Sequence, residues 1–367
     1  MKLFKCENCG SLLHFENRTC ESCGYRLGYE PLAASLLDVD QQGDTWQPLS
    51  APDRRYRFCA NMDMGQCNWL VDASSPEHFC LACRHNRNVP NLSAEVNLAR
   101  WRKLEIAKRR LFYTLLRFGL PLANRIDDPA HGLTFDFLAD GADEKVLTGH
   151  DEGIITINLN EADDATREKM RVMMGERYRT LLGHFRHEVG HHFWDLLVRD
   201  KGEQKLEEFR AVFGDERPDY QEALNTHYNQ GPPPDWQDHF ISSYASAHPW
   251  EDFAETWAHY LHMVDTLEMG SALGLEVHPR IDPNAGVATE LVGDPYKARR
   301  VEDLVDGWLS LTFAVNSVNR CMGQPDLYPF ILRPGVIKKL AFIHALVHSQ
   351  TAEAAPAPPK KYALAPS

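Results

Sequence analysis

The chain has 367 residues, 43% of them apolar and 25% charged, the make-up of a soluble globular protein rather than a disordered or fibrous one. Its 39 Lys and Arg against 52 Asp and Glu leave a net charge of −13, which argues against gripping a phosphate backbone through broad electrostatics. No run approaches the roughly 18 apolar residues of a membrane helix, and the opening MKLFKCENCG lacks the apolar core of a secretory signal, so the expected location is the cytoplasm.

Of nine cysteines, eight fall in the first 83 residues. In a reducing compartment such clustering reads as metal ligation rather than as disulfides. Cys6, Cys9, Cys20 and Cys23 form two CxxC pairs, and Gly10 or Gly24 follows each to permit the tight turn of a metal knuckle. Four thiolates complete a structural zinc site with no open position. Cys59, Cys67, Cys80 and Cys83 form a second quartet with a looser first pair, where His78 or His85 can stand in for a thiolate. Residues 1–92 therefore read as a two-zinc, four-cysteine ribbon module. Residues 28–55, with Pro31, Pro48 and Pro52, read as the connector between its sites. Arg54, Arg55, Arg57, Arg84 and Arg87 lie near the second quartet, yet the module is not net basic. Bracing a larger domain or docking a protein is preferred to binding nucleic acid.

Residues 93–118 read as an amphipathic helix with Leu104, Ala107, Leu111, Leu115 and Phe118 at spacings of three and four. Its basic face, Arg102, Lys103, Arg109 and Arg110, is expected to be solvated or subunit-facing, and Gly119-Leu120-Pro121 stops it. The β-branched stretch Gly153 to Asp163 is the best strand candidate, and as an edge strand it can hold an extended peptide by β-augmentation. A helical region from Asp164 to Val198 follows, with a break near Gly175. Further helices are expected at 251–268, 298–319 and 334–348. The fold class is α+β, mainly helical, with a second domain over 93–349. The Ala/Pro-rich tail, 350–367, reads as disordered.

The segment RYRTLLGHFRHEVGHHFWDLL contains HExxH as His187, Glu188, Val189, Gly190 and His191. Helix positions four apart share a face, so both histidines can point at one zinc ion. Glu188 sits about 100° around the helix, able to reach a water on that ion without ligating it. Tyr178, Leu182, Phe185, Val189 and Leu196 form a separate apolar face. The third ligand is sought in SSYASAHPWEDFAETWAHYLHM, where Pro249 suits a helix start. Glu251 and Glu255 share one face of that helix. One carboxylate would ligate, and the other would fix the tautomer of a zinc-bound histidine. Glu251, nearer the helix start, is taken as the ligand and Glu255 as its support; His248, His259 or His262 can replace Glu251 in that role.

The HExxH helix followed some 60 residues later by ExFAE resembles the gluzincin metallopeptidases, with Glu where ExxxD is more usual. The segment Y-(six residues)-E-x-F-A-E is similar to the active-site helix of anthrax lethal factor and the Pro-Pro endopeptidases, in which a tyrosine seven residues before the glutamate ligand lines the site. Tyr244 matches that position. Over nearly the whole chain the closer resemblance is to the bacterial zinc metallopeptidases that carry an N-terminal zinc-ribbon region. The matching segments are CENCG, FCANMDMGQCNWLV, TGHDEGIITINLNEADD, GHFRHEVGHHFWD and YASAHPWEDFAETWAHYLHMVDTL. The resemblance implies a zincin-like domain with a small edge-stranded sheet, one catalytic and two structural zinc ions, and a peptide or protein substrate.

If so, zinc on His187, His191 and Glu251 acidifies a water, Glu188 takes its proton, and Tyr244 steadies the developing oxyanion. Other polar residues read as supporting. His184 lines the cleft or is a hydrogen-bonded structural group. His192 points elsewhere, and Asp195 orients an imidazole or faces water. Trp194, Trp250 and Trp257 read as core, and Cys321 as a small buried side chain. Tyr220 and His227 can reach the cleft, which the sequence leaves open, as it does the oligomeric state. The competing reading is a zinc-ribbon protein-binding adaptor with an idle metal-binding domain.

Overall fold

The computed structural model describes residues 1–141, 145–173, 180–281, 286–291 and 293–353. The chain opens with β1 (Phe4–Lys5) paired antiparallel to β2 (Leu12–Leu13). A five-stranded antiparallel meander follows: β3 (Leu27–Glu30), β4 (Ser35–Gln42), β5 (Thr45–Pro48), β6 (Tyr56–Phe58) and β7 (Leu70–Asp72). The connector expected over 28–55 is thus the body of a sheet. The three prolines mislead because they sit where strands end: Pro48 closes β5, and Pro31 and Pro52 fall in the turns. Between β4 and β5, Gly43 takes a positive φ of 61° that closes the tight hairpin.

The second sheet has the order β10-β11-β9-β8, built from β8 (Asn86–Asn88), β9 (Thr134–Leu138), β10 (Gly149–Asp151) and β11 (Ile154–Asn158). Parallel pairing joins β8 to β9 and β9 to β11, and β10 runs antiparallel along the outside of β11. The strand read from Gly153 to Asp163 is therefore interior, hydrogen-bonded on both sides, and gives way to a 3-10 turn at Leu159. The edge belongs to β10, whose short Gly-His-Asp run carries no strand signature. β8 begins three residues after Cys83, so the segment that closes the second cysteine quartet continues straight into this sheet. It does so on the ribbon side of the boundary read at residue 92.

Helices make up most of the remainder: α1 (Glu95–Arg117), α2 (Asp164–Met173), α3 (Leu181–Leu197), α4 (Glu203–Phe213), α5 (Tyr220–Gln230), α6 (Trp236–His239), α7 (Pro249–Ala272), α8 (Val301–Cys321) and α9 (Pro334–Glu353). A last short hairpin, β12 (Glu276–Val277) with β13 (Thr289–Glu290), lies between α7 and α8. Gly119, with φ of 63°, ends α1 where the sequence places its stop. The expected break near Gly175, and Tyr178, lie outside the described residues. So does most of the expected tail: α9 runs on to Glu353, and 354–367 are not described. Among the described residues no helix is long and apolar enough to cross a membrane.

Of the basic face of α1, Lys103 is exposed as expected, but the three arginines are drawn against the protein. Arg109 is buried, Arg110 pairs with Glu16 at 2.5 Å, and Arg102 donates to the Met64 carbonyl at 2.6 Å. That face lies on the ribbon region, while Thr114 and Tyr113 reach Asp265 and Glu268 on α7. Phe15 and Tyr29 pack against Tyr113, and one continuous apolar core runs from Phe4 through α1 and α3 to Val347. The helix is a shared wall.

Candidate metal centres

In each cysteine quartet the four sulfurs lie within 4.8 Å of one another. Cys6–Cys23 and Cys9–Cys20 sulfurs are 3.6 Å apart, and Cys67–Cys80 are 3.7 Å apart. A tetrahedral tetrathiolate zinc has sulfur–sulfur edges of about 3.8 Å, so both quartets fit that ion. The first keeps Cys9 exposed, whereas all four cysteines of the second are buried. Burial pushes the Cys80 thiol well above its ordinary pKa, so thiolates there need a cation beside them. Four thiolates on zinc carry a net charge of about −2. From α1, Arg109 is held against this charge, and Lys108 pairs at 2.8 Å with Glu105, whose other oxygen lies 3.6 Å from Cys83 Sγ. His78 is exposed, and His85 is buried with its two ring nitrogens on the carbonyls of Leu81 and Leu122, so neither joins the quartet.

The third group forms where α3 crosses α7. Gly190, inside HExxH, sets the spacing: a Cβ there would lie 3.0 Å from Ala254 Cα. This close approach brings three ligand atoms together from two helices. His187 Nε2 and His191 Nε2 are 3.2 Å apart, and Glu251 Oε2 lies 3.0 Å from the first and 3.6 Å from the second. Tetrahedral zinc with N and O ligands has edges of about 3.3 Å. Glu251 is 1% exposed, and among the described residues its Oε2 meets no donor other than the two imidazoles. A buried carboxylate oxygen short of donors is costly unless a cation takes their place. The arrangement fits the ion.

The local fold explains how Glu251 gets there. His248 caps α7 by accepting from the Trp250 amide at 3.1 Å, Pro249 opens the helix, and Glu251 sits in its first turn. There the helix dipole favours a negative charge. Burial would raise its pKa, but the imidazoles of His191 and His187 hold the carboxyl well below its usual range. The reciprocal effect appears on His187: burial opposes its charge, yet Glu251 and Glu255 hold its pKa well above the ordinary value.

Glu255 Oε1 stands 2.8 Å from His187 Nδ1, and its Oε2 accepts from Ser242 Oγ at 2.6 Å. Glu188, next along α3, has its carboxyl pKa raised by burial. The Tyr244 ring lies 5.9 Å from the His187 ring. Tyr220 reaches the site too, its hydroxyl donating to Glu251 Oε1 at 2.5 Å. Trp250, expected in the core, lies tilted against His191 with centroids 3.7 Å apart and lines a cleft of about 340 Å³ with Tyr220, Trp194 and His150. The edge strand β10 contributes His150 and Asp151 to this cleft.

The remaining candidates lie elsewhere. His259 Nδ1 meets Tyr328 OH at 2.7 Å, His262 meets Arg186, and His248 serves as the helix cap, so none competes with Glu251. His184 pairs with Glu161. His192 is buried away from the trio beside Phe193, and burial lowers its pKa to about 4. Asp195 pairs with Arg199 at 2.8 Å rather than with a ligand imidazole, and burial pushes its pKa up to about 7. The His227 ring is 6.1 Å from that of Tyr244. Trp194 and Trp257 are buried. Cys321 is exposed, contrary to expectation, because it ends α8 beyond the buried stretch of that helix. Ser242 and His150 went unnoticed in the sequence. Neither stands in a motif, and only the turn before α7 and the β10 edge bring them in.

Residues 97–346 match the family described as "Putative zinc-binding metallo-peptidase", and residues 3–94 match a zinc-ribbon domain family. An uncharacterized protein of Mycobacterium bovis and two of Mycobacterium tuberculosis strains are each 41% identical over 363 residues, covering 97% of this chain and 98% of theirs. No solved structure matches. The chain belongs to this zinc-binding metallo-peptidase family and carries a zinc-ribbon domain at its N-terminal end.

Proposed function

We propose that the chain is a zinc-dependent peptidase of the gluzincin kind, with a zincin-like domain that hydrolyses a peptide or protein substrate. One observation carries the reading: His187, His191 and Glu251 offer three converging ligand atoms at zinc-like spacing, with the non-ligand carboxylate of Glu188 adjacent in the chain. Three protein ligands leave a fourth position, the mark of a catalytic rather than a structural site. Zinc bound there would supply Lewis acidity, lowering the pKa of a water to about 7 and polarising the scissile carbonyl.

The protein's own groups do the rest. Glu188 takes the proton from the attacking water and returns it to the leaving amine. Glu255 fixes the tautomer of His187 through Nδ1, and Ser242 holds Glu255 in turn. The Tyr244 hydroxyl donates to the oxyanion as charge develops on it. The edge of β10 beside the cleft, unpaired on its outer side among the described residues, offers backbone groups to an extended substrate. The two quartets hold structural zinc, and the ribbons brace the catalytic domain through α1 and β8. Metal analysis tests this directly: three zinc ions per chain are expected, falling to two in His187→Ala. A peptide library should be cleaved by the wild type and left intact by Glu188→Gln.

A further inference from the structure

Glu251 uses its two oxygens differently. Oε2 faces the Nε2 atoms of His187 and His191 and has no other polar partner among the described residues. Oε1 is held by the Tyr220 hydroxyl at 2.5 Å. Tyr220 is the first residue of α5, a helix with no buried residue, so the apolar core does not require the tyrosine. Two rings fix its direction instead: Trp250 at 5.4 Å and His248 at 5.5 Å both meet it edge to face. Asp219 caps α5 by accepting from the Glu222 amide at 2.8 Å, which sets where the helix, and therefore Tyr220, begins. A hydroxyl has been delivered to one oxygen of a buried carboxylate whose other oxygen is reserved.

A carboxylate with both oxygens free can grip a cation through both, and zinc then expands beyond four ligands. A hydrogen bond to one oxygen opposes that. We propose that Tyr220 is a positioning residue that confines Glu251 to ligation through Oε2, keeping the fourth position of the ion free for water. This rests on the peptidase reading of His187, His191 and Glu251. It assigns Tyr220 a task separate from that of Tyr244, whose ring lies 5.9 Å from that of His187 and whose hydroxyl meets that of Tyr220.

The test uses the full chain with cobalt(II) loaded into the site, reading visible absorption as a difference from His187→Ala so that the cysteine sites cancel. The wild type should give the strong bands of four-coordinate cobalt. Tyr220→Phe keeps the ring and its packing but frees Oε1, so the bands should weaken toward a five-coordinate spectrum. With zinc in the site, kcat should fall by about 10–100-fold with KM little changed. Tyr244→Phe should keep the wild-type spectrum. A Tyr220→Phe spectrum identical to wild type overturns the proposal, as does a loss of thermal stability in the metal-free chain with coordination unchanged, which marks a packing role. Failure of the underlying reading looks different: wild type and His187→Ala would then give no difference spectrum at all.

Discussion

In the proposed assignment, the cysteine quartets and the His187–His191–Glu251 trio would meet the same coordination demand with different numbers of donors. Four thiolates occupy every tetrahedral position, and the surroundings of the second quartet only balance charge and exclude water, with Lys108 and Arg109 brought up from α1. The trio supplies three donors, and its surroundings are aimed. Glu255 meets His187, Tyr220 meets Glu251, and Trp250 covers His191 at the mouth of the cleft. A closed set makes an ion part of the fold, whereas an open set needs neighbours that hold each ligand in one orientation. The two regions meet at α1, so the folding energy supplied by one is available to the other.

Breaking the open site should produce the largest effect. Glu188→Gln retains the ion, because Glu188 is not a ligand, and should lower hydrolysis by at least about a hundredfold. Full activity in that variant would end the proposed mechanism. Next come the two carboxylates on α7. Glu251→Ala leaves two imidazoles, and zinc titration should find the site empty at concentrations that saturate the wild type. Glu255→Ala should weaken binding by about 10–100-fold through loss of its hold on His187 Nδ1. If Glu255→Ala proves the more damaging for metal, the ligand and its support are reversed.

The proposed ligands are legible in the sequence, as is Glu255 behind them, whereas most of the other groups that would orient them are not. Ligands must sit at fixed spacing on one helix face or one knuckle, so CxxC, HExxH and ExFAE are visible in a single chain. Ser242, Tyr220 and Trp250 have no such constraint. A turn, a helix start and a crossing angle bring them to the site, and those depend on Gly190 letting α3 approach α7. The fold follows the same rule. The long helices announce themselves by apolar periodicity and by stops such as Gly119. β10 is too short for a pattern, and β9 owes its place to parallel pairing with β8 and β11 from distant parts of the chain. The basic face of α1 looked solvated because charge suggests water, but Arg109 faces the second cysteine quartet and Arg110 and Arg102 reach Glu16 and the Met64 carbonyl.

The two quartets can themselves be told apart. Cys80→Ser should release an ion from a fully buried site and leave Lys108, Glu105 and Arg109 facing an uncharged pocket. Cys9→Ser also releases an ion, but from an exposed position on the module's surface. Differential scanning calorimetry should show the Cys80 variant melting lower than the Cys9 variant by roughly 5 °C or more, since loss of buried charge compensation adds to loss of the metal. Equal melting temperatures would mean that the second quartet does not brace α1.

The smallest expected effect lies at the joint between the regions. His85 ends the turn that follows Cys83, and β8 starts at the next residue. Burial lowers its pKa to about 4 even though two carbonyls favour the charged ring. The unfolded chain binds that proton near pH 6.5, so the folded state holds fewer protons between about pH 6.5 and 4. Stability from this group is therefore complete above pH 6.5 and drains away as the solution is acidified. Between pH 7 and 5 the loss amounts to about 2 kcal/mol. Thiolate protonation and release of zinc also weaken the fold in acid, so the comparison must be with His85→Gln, which keeps one donor for a carbonyl but does not titrate. Urea unfolding at the two pH values should show the wild type losing more stability than the variant by about that amount. Parallel losses would show that the imidazole between the second quartet and the sheet that β8 opens is already protonated in the folded chain, with both carbonyls accepting from a charged ring.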